Sequence, residues 1–85
     1  MKLINGFVLS NHANERREER HIKINWINLT LTQPDFKRRH KDGKVHYIRK
    51  VNEFGGRRLR VIVDPSKSPK IIVSLYFDSG LLKRL

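Results

Sequence analysis

Three apolar runs separated by turn residues fill the second half of the chain and constrain its fold more than any other feature. Each run has seven or eight residues and is rich in valine, isoleucine or leucine, with a tyrosine in two of the runs, which favours β-strands. The runs are VHYIRKV (45–51), RRLRVIV (57–63) and KIIVSLYF (70–77), with NEFGG and DPSKSPK as the turns between them. FKRRH at 36–40 precedes the hairpin signal Asp42-Gly43 and predicts a further strand. We therefore predict a meander of four antiparallel strands.

The segment SNHANERREERHI at 10–22 predicts a first helix over residues 11–21. Ser10 or Asn11 can cap it, because their side-chain oxygens accept from the free N–H groups of the first turn. His12, Arg16 and Arg20 are four residues apart and share one stripe of this helix. The stripe is either a solvated face, on which the arginines pair with neighbouring glutamates, or one wall of a site.

The segment INWINLTLTQ at 24–33 is ambiguous. Its apolar residues fit a helix at positions 24, 27 and 31, and they fit a strand equally well at 27, 29 and 31. We predict a helix, and Pro34 ends the element in either case.

The order of these elements predicts an α+β domain with two N-terminal helices packed on one face of a four-stranded antiparallel sheet. The length of 85 residues indicates a single domain over 1–85. Residues 6–9, GFVL, predict a short strand before the helices, and residues 78–85 predict a turn and a tail.

The formal net charge of +11 makes nucleic acid the first partner to consider and an acidic protein the second. The excess is concentrated at 37–60, where ten lysines and arginines face only Asp42 and Glu53. The chain has no cysteine, which excludes disulfides and thiolate metal sites. No apolar run approaches the roughly 18 residues of a membrane span, and the N-terminal segment is too short and polar for a secretory signal. We expect a soluble, cytoplasmic protein without a membrane partner.

Four stretches together resemble a small bacterial family, domain of unknown function 4258. They are HANERREERHI (12–22), Trp26 with Pro34, HYIRKVNEFGGRRLRVIV (46–63) and IIVSLYFD (71–78). The resemblance covers about residues 8–80, and Lys23 departs from it where serine or threonine would usually cap the second helix. It implies kinship with RelE-type toxins and barnase-like ribonucleases, a RelE-like fold of two helices and four strands, and RNA cleavage that needs no metal.

Such cleavage needs a base for the 2′-hydroxyl proton, an acid for the leaving oxygen and cations for the phosphorane. His12 is our candidate for base or acid, since histidine changes protonation near neutral pH and helix N-termini attract anions. Arg20, Arg49 and Arg60 are our candidates for holding the phosphate, because a guanidinium matches two of its oxygens. Arg49 is expected at the rim of the packed face and Arg60 among apolar neighbours. Each of these residues also has a purely structural interpretation, as a local cap, an ion-pair partner or a solvated side chain.

A second set of cations is predicted to contact the nucleic-acid backbone. It comprises Arg16, Arg38, Arg39, Lys50, Arg57 and Arg58. No aromatic residue interleaves with the arginines in the sequence, so we expect phosphate contacts rather than base stacking. Tyr76 is interpreted as a packed or rim tyrosine with a bonded hydroxyl. No carboxylate completes a histidine metal site, so we expect no metal and no cofactor.

The leading hypothesis is a metal-independent ribonuclease or mRNA-directed toxin, with RNA as substrate and an acidic antitoxin as a further partner. The alternative is a non-catalytic basic domain that binds RNA or an acidic protein. The two differ in whether His12 performs chemistry.

Overall fold

A computed structural model describes residues 2–78, apart from the side chain of Lys2. Along the chain, the elements are β1 (Lys2–Ile4), β2 (Phe7–Leu9), α1 (Asn11–Glu19), α2 (Ile24–Thr32), β3 (Phe36–Arg39), β4 (Val45–Val51), β5 (Arg57–Asp64) and β6 (Ile71–Phe77). A single 3₁₀ turn, Asn52–Phe54, joins β4 to β5. The predicted tail after residue 78 lies outside the described residues.

The strands form one six-stranded mixed sheet in the order β1-β2-β6-β5-β4-β3. The predicted arrangement, two N-terminal helices on a four-stranded antiparallel RelE-like sheet, is therefore wrong. A β-hairpin precedes the helices, and β2 pairs in parallel with β6 through Val8–Ile71 and Leu9–Ile72. The antiparallel meander from β3 to β6 is present as expected.

The N-terminal hairpin turns at Asn5 and Gly6, whose φ angles of 51° and 84° are both positive. An Asn-Gly pair between apolar residues is a strong hairpin signal, because both residues tolerate the left-handed conformation. The sequence prediction does not include this hairpin, because it assigns residues 6–9 to a single strand without a partner before it. The hairpin also buries Ile4 and Leu9, which extends the core beyond the four predicted strands.

Both predicted helices are confirmed, with slightly shorter bounds. The Ser10 hydroxyl accepts from the Ala13 N–H at 3.1 Å and caps α1, whose single buried residue is Ala13. In α2, the N-cap residue Lys23 makes no side-chain capping bond. Its apolar residues Trp26 and Ile27 are buried against the sheet, which holds this uncapped helix in place.

The helices and the sheet enclose one core, with α2 on β4 and β5 and α1 beside β6. On the core side, the alternating residues Tyr47, Val61 and Leu75 are buried. The opposite side of β3 to β6 is termed the open face. Its residues, taken from strand alternation and register, are Phe36, Arg38, His46, Ile48, Lys50, Arg58, Arg60, Ile62, Ser74 and Tyr76.

Helix α1 lies where β6 loses its strand partner. Pairing of β2 with β6 is recorded only at Ile71 and Ile72, and the Ser10 N–H then donates to the Ile72 carbonyl at 3.2 Å. The chain enters α1 at that point and passes beside the rest of β6. A helix beside a strand edge shields backbone groups that would otherwise be unpaired.

Candidate functional site

A groove of about 750 Å³ lies between α1 and the C-terminal half of β6. The residues that line it come from α1 and its C-terminal end, from β6, from the β4–β5 turn and from the first position of β5. They are His12, Arg16, Arg20, Phe54, Arg57, Ser74, Tyr76 and Phe77. The helical stripe seen in the sequence is therefore one wall of a groove.

His12 stands in the first turn of α1, and Arg16 follows one turn later. Arg20 is the residue at which α1 ends, and its Nη1 donates to the Leu75 carbonyl at 3.0 Å. This bond anchors Arg20 to the edge of β6 and leaves its other N–H groups available, since a guanidinium has five donors. The helix thus aligns one imidazole and two guanidinium groups along the groove.

An aromatic cluster forms the end of the groove near the β4–β5 turn. The rings of Phe54 and Phe77 are 4.7 Å apart, and both pack on the core residue Trp26 at 5.5 and 6.0 Å. The Arg57 guanidinium lies 5.2 Å from the Phe54 ring centre, within range of a cation–π contact. The cluster therefore holds a third arginine at the groove.

The lining contains three arginines and one histidine, and none of its eight residues is acidic. Glu15 and Glu19 of α1 are exposed and are not part of the lining. Such a concave cationic surface suits a polyanion, because several guanidinium groups can bind phosphate oxygens together.

The other two residues predicted to hold phosphate lie apart from this lining. Arg60, on the open face, donates from Nε to Asp78 Oδ2 at 2.9 Å and from Nη2 to the same oxygen at 2.8 Å. Its Nη1 contacts His46 Nδ1 at 2.8 Å. Arg49 donates to the carbonyl of Gln33, the C-cap residue of α2, and lines a smaller cavity of about 90 Å³. Of the four predicted catalytic residues, only His12 and Arg20 share the groove.

The residues predicted to contact the nucleic-acid backbone are divided among three places. Arg16 and Arg57 line the groove. Arg58 is 3.9 Å from an Asp35 carboxylate oxygen, which also accepts from the Lys50 backbone N–H. Arg38 and Arg39 are both exposed on the edge strand β3, and alternation points them to opposite faces.

Aromatic rings accompany these cations in the folded chain, although no aromatic residue interleaves with the arginines in the sequence. The Arg58 guanidinium lies 5.9 Å from the Phe36 ring, and the rings of His40 and His46 stack with centres 3.6 Å apart. Phe36 on β3 and Arg58 on β5 are distant in sequence and are separated in the sheet by β4, whereas His40 directly follows β3 and stacks on His46 of β4. The linear pattern around the arginines could not reveal them.

His46 belongs to a polar cluster that the sequence did not indicate. Its pKa is lowered by burial first, and by the nearby His40 and Arg60, with Asp42 acting in the opposite direction. Arg60 can only donate, so Nδ1 of His46 accepts and a neutral ring carries its proton on Nε2. This chemistry makes His46 a partner for Arg60 rather than a free base.

Sequence reasoning also missed the part that Tyr76 plays in the lining. Tyr76 is half-buried and reaches the groove from the open face of β6. Alternation along 71–77 gave the signal, since it separates Ser74 and Tyr76 from the buried Leu75. The alternation could not show that this part of β6 lies beside α1.

Within residues 2–78, no group of three or more histidine and acidic side chains is placed to hold a metal ion. No helix in the same range is long and apolar enough to cross a membrane.

Comparison with known proteins identifies one family. A family model described as a domain of unknown function (DUF4258) matches residues 9–77. No curated protein and no solved structure gives a significant match. The match covers both helices and the strands from β3 to β6, including every residue that lines the groove.

Proposed function

The chain belongs to the DUF4258 family, and we propose that it is a ribonuclease that cleaves RNA in the groove without a metal ion. The observation that carries this proposal is the composition of the lining: one histidine, three arginines and one tyrosine, with no acidic residue among the eight. Cleavage of a phosphodiester requires a proton acceptor next to cations that bind the phosphate, and these side chains supply both.

In the proposed reaction, the neutral imidazole of His12 takes the proton of a 2′-hydroxyl. The 2′-oxygen forms a bond to phosphorus, and the bond from phosphorus to the 5′-oxygen breaks. The Tyr76 hydroxyl protonates the departing 5′-oxygen, and the His12 imidazolium returns the proton to Tyr76. The products are a 2′,3′-cyclic phosphate and a 5′-hydroxyl, so protons and electrons balance.

In this reaction the arginines of the groove stabilise negative charge on the phosphate. Arg16, Arg20 and Arg57 surround the groove, and their donors suit the phosphorane oxygens, on which negative charge grows in the transition state. The bond from Arg20 to the Leu75 carbonyl keeps its guanidinium in place before substrate arrives. Such preorganisation avoids reorganisation at the moment of reaction.

The proposal extends to the biological substrate. The kinship with RelE-type toxins that the sequence resemblance implies favours messenger RNA as the target, and the net charge of +11 favours an acidic antitoxin as partner. Induced expression in bacteria should then arrest growth, and His12→Ala should relieve the arrest.

Incubation of the purified chain with single-stranded RNA in EDTA tests the proposal. We expect cleavage with cyclic-phosphate ends, and we expect His12→Ala to slow it by about 10²–10⁴-fold, the usual contribution of a general acid or base. His21→Asn is the matched control, because His21 is exposed outside the groove and asparagine tolerates its φ of 55°. RNA binding without any cleavage would overturn the proposal in favour of the non-catalytic alternative.

A further inference from the structure

Two rows of side chains cross the open face and begin at the groove. Strand register aligns Tyr76, Arg60, Ile48 and Phe36 in one row. The next row contains Ser74, Ile62, His46 and Arg38. Ser74 and Tyr76 line the groove, so each row joins the groove to the edge strand β3. Three spacings of about 4.8 Å separate the two ends.

Exposed rings mark the far end of this path. Phe36 is 49% exposed, which is unusual for a phenylalanine on a strand. His46 belongs to the second row, and the exposed ring of His40 stacks on it with ring centres 3.6 Å apart. Arg38 lies between Phe36 and His40 in the sequence and, by alternation, on the same face as Phe36. Along this edge, aromatic rings and a cation alternate.

The charge of this edge is also positive. Lys37, Arg38 and Arg39 are exposed, and within residues 2–78 Arg38 makes no ion pair. The acidic groups of the open face are already engaged: Asp35 with Arg58, and Asp78 with Arg60. The cations of β3 are therefore available to an anionic ligand, although Asp42 of the adjoining turn acts on His46.

We propose that the open face is a second nucleic-acid site, which binds single-stranded RNA as the strand leaves the groove and runs to β3. Phe36 and the exposed His40 ring stack unpaired bases, and Arg38 binds a phosphate between them. Aromatic platforms interleaved with cations are the common device for holding single strands, because every base has a face that stacks. Bases inside a duplex cannot reach these rings. The inference rests on the proposed function in taking RNA as the ligand, and it adds that the RNA is single-stranded.

Fluorescence anisotropy with a short labelled RNA free of self-complementarity tests the inference. The measurement uses the full chain carrying His12→Ala, so that the probe stays intact. We expect the single strand to bind more tightly than the duplex of the same sequence. Phe36→Leu should weaken binding of the single strand by about 5- to 150-fold, the range expected for one stacked base. Leucine keeps the apolar contact on the sheet and removes the aromatic ring.

Arg38 and Arg39 provide a matched pair, since they are adjacent, equally charged and directed to opposite faces. Arg38→Ala should reduce the slope of log K against log salt by about 0.7, the value for one phosphate on a single strand. Arg39→Ala should leave the slope unchanged, because in this proposal Arg39 points to the opposite face and makes no phosphate contact, contrary to its prediction from the sequence. Equal effects of the two substitutions would overturn the site, since they would reduce it to general attraction by a basic edge.

Other results also overturn the inference. Equal affinity for duplex and single strand would do so, as would unchanged binding by Phe36→Leu. Tighter binding of an acidic peptide than of RNA, insensitive to Phe36→Leu, would assign the edge to a protein partner. The two proposals fail separately: cleavage unaffected by Phe36→Leu overturns this site alone, and RNA binding sensitive to Phe36→Leu without cleavage overturns only the ribonuclease.

Discussion

The arginines that line the groove differ from Arg49 and Arg60 in what the fold gives them to bind. Arg16, Arg20 and Arg57 are exposed, and their recorded contacts are a carbonyl and an aromatic ring, which leave donors for a ligand. Arg49 and Arg60 are half-buried, and their guanidinium groups bind a helix terminus and a carboxylate–histidine pair. An arginine with partners of its own stabilises the fold, whereas one directed into a groove can bind a substrate. The difference depends on acceptors that lie far away in sequence.

The largest effect should come from removing groove cations. The double substitution Arg16→Ala with Arg20→Ala should lower the rate of RNA cleavage by at least about 10²–10³-fold, because each donor stabilises charge in the transition state. Arg49→Ala removes the same type of charge outside the groove and should change the rate by less than about threefold. A similar loss in both variants would break the comparison, since cleavage would then depend on net charge.

A smaller effect, on stability, should come from the arginines that have partners. Arg60→Met should lower the free energy of unfolding by about 1–3 kcal/mol, because it leaves Asp78 and His46 without their charged partner. Arg16→Met, on the exposed helix surface, should change it by less than about 0.5 kcal/mol. Urea denaturation followed by circular dichroism measures both. An Arg60→Met chain that is fully stable but unable to cleave RNA would place Arg60 among the arginines that bind the substrate.

The smallest effect should be a pH dependence at His46. Burial, His40 and Arg60 lower its pKa in the folded chain below 6.5, so the unfolded chain binds more protons here as the pH falls below that value. The contribution of His46 to the free energy of unfolding is therefore complete above pH 6.5 and declines as the pH falls below this value.

His46→Gln should reduce the drop in the urea midpoint between pH 7.5 and 5.5, because glutamine accepts from Arg60 without titrating. Asp64, whose pKa is lowered by hydrogen bonds from Ser66, affects stability only below about pH 5, which lies outside this range. An identical drop in both chains would show that His46 does not couple to folding.

Local patterns in the sequence were sufficient for every helix and strand except β1 and for one wall of the groove. Apolar alternation gave β4, β5 and β6, and helical spacing put His12, Arg16 and Arg20 on one stripe. The sequence could not show that β2 pairs in parallel with β6, because a three-residue strand carries too little periodicity to specify a partner. Without that pairing, α1 has no defined place beside β6, and the opposite wall of the groove could not be assigned. The partners of Arg60 could not be assigned either, since His46 lies on β4 and Asp78 directly follows β6.

The parallel pairing of β2 with β6 also governs the order in which the molecule can assemble. Val8 and Ile71 are 63 residues apart, so β2 finds its place in the sheet only after β3 to β6 have been made. The three-stranded meander β3–β4–β5 is built from segments that are adjacent in sequence and can form early, whereas contacts of long sequence separation form slowly. During synthesis, α1 can dock on the sheet only after β6 has been made. The cationic groove therefore cannot form until residues 71–77, which supply its β6 wall, have left the ribosome.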